Sequence, residues 1–216
     1  MRHKDLIKLI EEGESTTLEF KRKATSPYKL AREISALANT KGGYLLIGVD
    51  DNGTIYGVHS EKSEIDVVES ACQFEIDPPV EPAIDVINIQ GKEIVVVYIE
   101  QSRSKPHKMY FENGSKDNKV PRAYIRMGEK SVIASREMYR LMKYSDDDSK
   151  KLMLSIGDKE KRLFAYLEKY EKATVRDFSR IVNISERRAS RLLIRLVRAG
   201  VIQIHSDSAR DYFTLA

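Results

Sequence analysis

Tyr44-Leu45-Leu46-Ile47-Gly48-Val49 is too apolar to lie on a surface and too short to be a long helix. Such a run reads as a central strand covered on both faces. Pro27 sits well in a first helical turn. From there to about Thr40, Leu30, Ile34, Leu37 and Ala38 recur at helical spacing. Gly42-Gly43 breaks that helix and lets the chain turn sharply into the strand. Gly48 within the strand suggests close approach of another backbone.

The surrounding pattern mixes periods. Residues 4–12 look helical, with Leu6, Ile7, Leu9 and Ile10 apolar. Thr16 to Lys21 alternates as a half-buried strand, with Leu18 and Phe20 on one face. Asp51-Asn52-Gly53 signals a tight turn and predicts Thr54–Val58 as a hairpin partner. A helix over 62–73 is expected, then a hairpin of 84–89 and 93–99 across Gln90-Gly91. A strand over 123–127 and a helix over 134–143 follow. Strands and helices mix without strict alternation, so the fold class is α+β: a mixed sheet with flanking helices. This first domain is placed at 1–143.

Tyr144 to Lys151 is polar, charged and aperiodic, and 144–157 reads as a linker. Beyond it the content turns helical. Helices are expected over 158–169, from a Thr174 cap to Ile181, and from a Ser185 cap to about Ala199, where Gly200 stops the last one. Short strands at 201–204 and 211–215 are joined across Ser206–Arg210. Three helices and a small hairpin make 158–216 a winged helix-turn-helix domain.

Charge is divided unevenly between these parts. Residues 150–216 carry 15 Lys and Arg against 8 Asp and Glu; residues 1–149 carry 22 against 25. The third C-terminal helix concentrates the surplus. At about 100° per residue, Ala189, Leu192, Leu193, Leu196 and Val197 share one side, while Arg187, Arg188, Arg191, Arg195 and Arg198 fall within an arc of roughly 100° on the other. Only Glu186 lies near enough to offset them. A basic outer face on a helix after a tight turn suits a DNA major groove or its phosphates. Arg187, Arg188 and Arg191, nearest the helix start, are the strongest candidates, and Arg210 adds a phosphate contact from the wing. A solvated face, or one meeting an acidic protein, is the competing reading.

No stretch of about 18 apolar residues exists, Met1–Asp5 does not look like a secretion signal, and Cys72 is the single cysteine. The expectation is a cytoplasmic protein with no membrane contact.

Glu14-Ser15-Thr16-Thr17-Leu18-Glu19-Phe20-Lys21 resembles the opening motif of the Schlafen AlbA-like domain family. Asn39-Thr40-Lys41-Gly42-Gly43-Tyr44-Leu45-Leu46-Ile47-Gly48-Val49 resembles its central block, and Lys105-Pro106-His107 and Ala123-Tyr124-Ile125-Arg126-Met127-Gly128 its closing strands. The likeness covers roughly 10–130. It implies an AlbA-like, nucleic-acid-binding domain, in bacterial members followed by a winged helix and described as a transcriptional regulator. DNA is favoured and RNA is the alternative; no cofactor is needed for binding. Paired winged helices reading paired half-sites imply a homodimer. Cationic candidates in this domain are Lys21, Lys41, Lys108, Arg122 and Arg126, with His107 a weaker one.

The resemblance implies a second function. Vertebrate relatives include metal-dependent endoribonucleases with three carboxylates, which map to Glu14, Glu19 and Asp50, with Asp51 as substitute for the third. These would hold Mg²⁺ or Mn²⁺ against phosphoryl oxygens, with Lys21 placing a water. The family has also been labelled a divergent AAA-type ATPase. Thr40-Lys41-Gly42-Gly43 is not a Gly-x-x-x-x-Gly-Lys-Ser/Thr loop and leads from helix to strand, so ATP hydrolysis is not expected.

Overall fold

The structure, a computed structural model, describes residues 1–112, 119–144, 156–206 and 210–216. It divides into two compact units, Met1–Ala134 and Ser135–Ala216.

Unit 1 is built on a four-stranded mixed sheet of β1 (Leu18–Lys21), β2 (Gly43–Ile47), β3 (Ala83–Ile89) and β4 (Lys92–Ile99), in the order β1-β2-β4-β3. β1 and β2 run parallel, with Leu18 beside Tyr44. β4 runs antiparallel to both β2 and β3. Side chains alternate across a strand, and here both faces are covered. Leu45, Ile47, Val95, Val97 and Ile99 pack under α2 (Pro27–Asn39) and α3 (Glu61–Phe74), with Leu30, Ile34, Leu37, Val68 and Cys72. Leu46, Ile94 and Val96 pack on the opposite side with Phe20 and with Leu6 and Ile10 of α1 (His3–Glu12). That two-sided cover is why β2 and β4 carry no polar face.

Close backbone approach sets two glycines. Gly43 has φ +141°, and a Cβ there would stand 2.1 Å from the Thr17 carbonyl oxygen. Gly48 has φ +105°, with the Gly57 backbone 3.2 Å from where its Cβ would be. The expected hairpin over 54–58 forms only at the strand's end: β1 and β4 take both edges of β2, and 54–58 folds back through the Ile55–Val49 bridge and the bonds of the Tyr56 and Gly57 N–H groups to the Gly48 carbonyl, each at 2.9 Å.

A second, three-stranded antiparallel sheet joins β5 (Lys108–Glu112), β6 (Lys119–Met127) and β7 (Lys130–Ile133). Of these, only the core of β6 is foreseen from the sequence. Asn39, at the end of α2, ties this sheet to the helix. Its Nδ2 donates to the carbonyls of His107 and Tyr124, each at 2.9 Å, and its Oδ1 accepts from the His107 N–H at 2.8 Å. Thr40 Oγ1 donates to the Ala36 carbonyl at 2.8 Å and accepts from the Arg126 N–H at 2.9 Å.

Cys72 is buried in this core, and burial pushes its thiol up to about 12. Since the thiolate is the reactive form, Cys72 is expected to resist a thiol-disulfide reagent in the native protein and to react at once in denaturant. Rapid native reaction would contradict its placement.

Unit 2 holds α4 (Arg136–Lys143), α5 (Asp158–Tyr170), α6 (Val175–Ile181), α7 (Glu186–Arg198) and an antiparallel pair, β8 (Ile202–Ser206) and β9 (Asp211–Leu215). Its core gathers Leu163, Leu167, Phe178, Ala189, Leu193, Leu196, Ile202 and Phe213. Ala173, between α5 and α6, bridges Phe213 antiparallel to β9. α4 differs from expectation: it belongs with this unit, not with residues 1–143. Ser190 of α7 donates to Glu137 at 2.8 Å and accepts from Arg140 at 2.6 Å, so a polar seam draws α4 onto α7. Of the expected linker 144–157, residues 145–155 lie outside the described residues, as do 207–209 of the expected 206–210 loop.

Candidate nucleic-acid interface

The two-helix turn in unit 2 is locally well specified. Thr174 and Asp177 form a reciprocal cap: Asp177 N–H donates to Thr174 Oγ1 at 3.2 Å, and Thr174 N–H to Asp177 Oδ2 at 2.9 Å. Asn183 takes a left-handed conformation (φ +52°) between α6 and α7. Ser179 Oγ donates to the Ile184 carbonyl at 2.6 Å, closing the turn. Ser185 begins α7 in extended backbone, but its side chain makes no cap hydrogen bond, unlike the expected cap.

α7 separates its charges as the sequence phase requires. Ala189, Leu193 and Leu196 are buried, and Arg187, Arg188 and Arg191 are exposed. Arg195 is half-buried and lies 3.5 Å from Glu160 of α5. The Arg198 guanidinium stands 4.7 Å from the centre of the Tyr144 ring. Arg210 is exposed at the start of β9. It lines a groove of about 400 Å³ that also contains Glu137, Glu186 and Asp211, so the wing side is mixed in charge where the α7 face is basic.

The residues singled out in unit 1 fare differently. Arg126 has a fully buried side chain and is no surface contact. Its guanidinium donates to Glu19 Oε2 at 2.6 Å, Glu33 Oε2 at 3.3 Å, Ser131 Oγ at 3.2 Å, the Ser15 carbonyl at 2.7 Å and the Leu18 carbonyl at 3.4 Å. Ser131 also bonds Glu33 directly. Arg32 holds the other Glu33 oxygen at 2.7 Å, and Lys21 bonds Glu19 as well as the Phe20 carbonyl. Two buried carboxylates therefore meet three cations, which removes the cost of an unpaired buried charge. Lys108 reaches Asp77 at 3.0 Å and Tyr110 at 3.4 Å. Arg122 is half-buried, and Lys41 is the exposed member of the set.

Glu14, Glu19 and Asp50 do not form a common ligand set. Glu14 accepts the Phe20 N–H at 2.8 Å, both Glu19 oxygens are taken by Arg126 and Lys21, and no group of three His, Cys, Asp or Glu able to hold a metal occurs among the described residues. Asp50 opens the turn instead: its carbonyl accepts the Gly53 N–H at 2.8 Å. Glu19 is thus held by Arg126 and Lys21, while Asp51, the substitute for the third carboxylate, lies near enough to act with Glu19 on the Glu14 carboxyl. His107, too, turns inward, with Nδ1 bonded to the Pro78 carbonyl at 2.7 Å; burial lowers its basicity.

Burial also pushes the Glu14 carboxyl up, against the pull of the Phe20 N–H bond. A carboxyl that binds its proton more tightly folded than unfolded stabilises the fold at low pH and loses that contribution as pH rises through its folded value. Ionised Glu14 is thus expected to cost stability at neutral pH. Glu14→Gln keeps an acceptor for Phe20 and should melt at or above wild type at neutral pH. The two should converge below the ordinary value of 4.5. A Gln variant clearly less stable at neutral pH would show that the charge itself is needed.

The fold is an α+β domain stapled by buried polar residues, followed by a small helical unit with a basic face. Residues 14–135, more than half of the chain, match the Schlafen AlbA_2 family, and the protein belongs to that family. Two solved structures are similar to it. One is a Corynebacterium diphtheriae protein, 22% identical, with a TM-score of 0.45; the match covers 61% of this chain and 28% of that one. The other is the N-terminal domain of a RecG-related protein from Nitrosomonas europaea, 24% identical, with a TM-score of 0.41, covering 63% of this chain and 97% of that one. No helix among the described residues is long and apolar enough to cross a membrane.

Proposed function

We propose that the protein binds nucleic acid through α7, and that it does so as a DNA-binding regulator of transcription. The observation that carries this reading is the row Arg187, Arg188 and Arg191. All three are exposed on the outer face of a helix that follows a tight turn. Like charges on one helix face repel, so the row is best explained by an anionic partner. In this reading unit 2 is a winged helix: α5, α6 and α7 form the helical part and β8–β9 the wing. α7 enters a groove or lies along its phosphates, and Arg210 touches the backbone from the wing. The protein acts as a cytoplasmic homodimer, presenting two copies of α7 to paired half-sites. Unit 1 contributes as a rigid platform, since most of its cationic candidates are committed to internal pairs.

The test is binding of labelled duplex DNA, single-stranded DNA and structured RNA across a salt series. Affinity is expected to be highest for duplex DNA and to fall steeply with salt, as phosphate contacts release counterions. Partner capture indifferent to salt, with no nucleic-acid binding at low salt, would instead make unit 2 a protein-interaction module.

A further inference from the structure

α4 lies along α7, and between them runs a groove of about 330 Å³. Four of its lining residues come from one stripe of α7: Arg187, Arg191, Arg195 and Arg198. Arg140 faces them from α4. Among the described residues no carboxylate lines it; two of its arginines have acidic partners, Glu137 at 4.0 Å from Arg140 and Glu160 at 3.5 Å from Arg195. Among the described residues, five cations against two acids make its lining positive. It is not only positive. Buried Ile194 adds an apolar patch to the lining, and Tyr144, 46% exposed, contributes its ring, which the Arg198 guanidinium covers at 4.7 Å.

We propose that this groove holds a nucleotide unit of an unpaired nucleic-acid strand. The phosphates would lie on Arg187, Arg191 and Arg140, and a base would stack on the Tyr144–Arg198 pair. This rests on the reading that α7 meets nucleic acid, and it names the form of nucleic acid that the α4 side of α7 accepts. Three features support it. A volume of about 330 Å³ falls at the low end of small-ligand sites, which run from roughly 300 Å³ upward, so a single nucleotide unit is of suitable size. Stacking on tyrosine and arginine is how single strands are gripped without regard to sequence. A duplex hides its bases from such a ring, so the stacking contact is open to an unpaired strand alone. Arg188 does not line the groove and lies at the far edge of the arginine arc, so strand and duplex would share Arg187 and Arg191, and a duplex on the outward face would add Arg188.

The experiment uses the full chain and a short fluorescent single strand, with the same sequence as a duplex. Wild type, Tyr144→Ala and Tyr144→Phe are compared, each first shown to melt as wild type does. Tyr144→Ala should weaken single-strand binding about 5- to 150-fold, the loss of one base stack. Tyr144→Phe should restore most of it, and duplex affinity should be unchanged in both. Equal loss for strand and duplex, or no loss for either, would overturn the proposal. So would displacement of the strand by equimolar free adenosine monophosphate, which would make this a mononucleotide site. Salt-sensitive duplex binding with a Tyr144-independent strand would sink this inference alone. No binding of any nucleic acid by wild type would sink the α7 reading with it.

Discussion

Arg126→Ala is expected to be the most damaging single substitution in unit 1. The guanidinium is fully buried and meets two carboxylates, a serine and two carbonyls. Removing it leaves Glu19 and Glu33 buried with one flanking cation each, Lys21 and Arg32. Breaking a buried pair by deleting one partner costs about 3–5 kcal/mol, a large part of the stability of a single domain. The melting temperature should fall on the order of 10 °C. Arg126→Lys should rescue little, because one ammonium cannot span acceptors arranged for a planar fork. Adding Glu19→Gln to Arg126→Ala should recover part of the loss by removing one stranded charge. Normal melting with lost nucleic-acid binding would show instead that Arg126 is a ligand contact.

The second large effect is on binding. Arg187→Ala/Arg188→Ala/Arg191→Ala should leave the fold intact, because all three side chains are exposed and alanine is at least as good a helix former as arginine. Relief of like-charge repulsion could only help. Duplex affinity near physiological salt should drop on the order of 100-fold. The more specific signature lies in the salt dependence. Each phosphate contact contributes about −0.9 to the slope of log affinity against log salt, so losing three should flatten it by roughly 2.7. An affinity loss with an unchanged slope would mean that these arginines do not touch phosphate.

The sequence already shows the elements that packing makes extreme. β2 is legible because two covered faces allow no polar residue, and α7 because its apolar and arginine arcs are in phase with a helix. The buried polar network was harder to see. Glu19 and Arg126 are 107 residues apart, and each, taken alone, looks like surface charge on an amphipathic strand. One signal was available: Glu33 falls in the same arc of α2 as Leu30 and Leu37, where a carboxylate implies a buried partner. Ser190 gives the same kind of hint on α7, in the stripe that proves to face α4. Nothing local marks α4 as part of unit 2, because its docking depends on Glu137, Arg140 and that serine. The family motifs are legible as strings, yet their purpose is tertiary. Asn39 and Thr40 close one motif, and their bonds reach the others: Asn39 holds the backbones of His107 and Tyr124, and Thr40 holds that of Arg126, whose side chain bonds Glu19.

The most direct test of binding through α7 is a nuclear magnetic resonance titration of the full chain with duplex DNA, following backbone amides and arginine Nε–H groups. The expected result is progressive, salt-sensitive shifts over residues 185–198 and at Arg210, with unit 1 largely unmoved. Shifts confined to unit 1, with the α7 arginines unchanged at saturation, would contradict the assignment of α7 as the nucleic-acid contact.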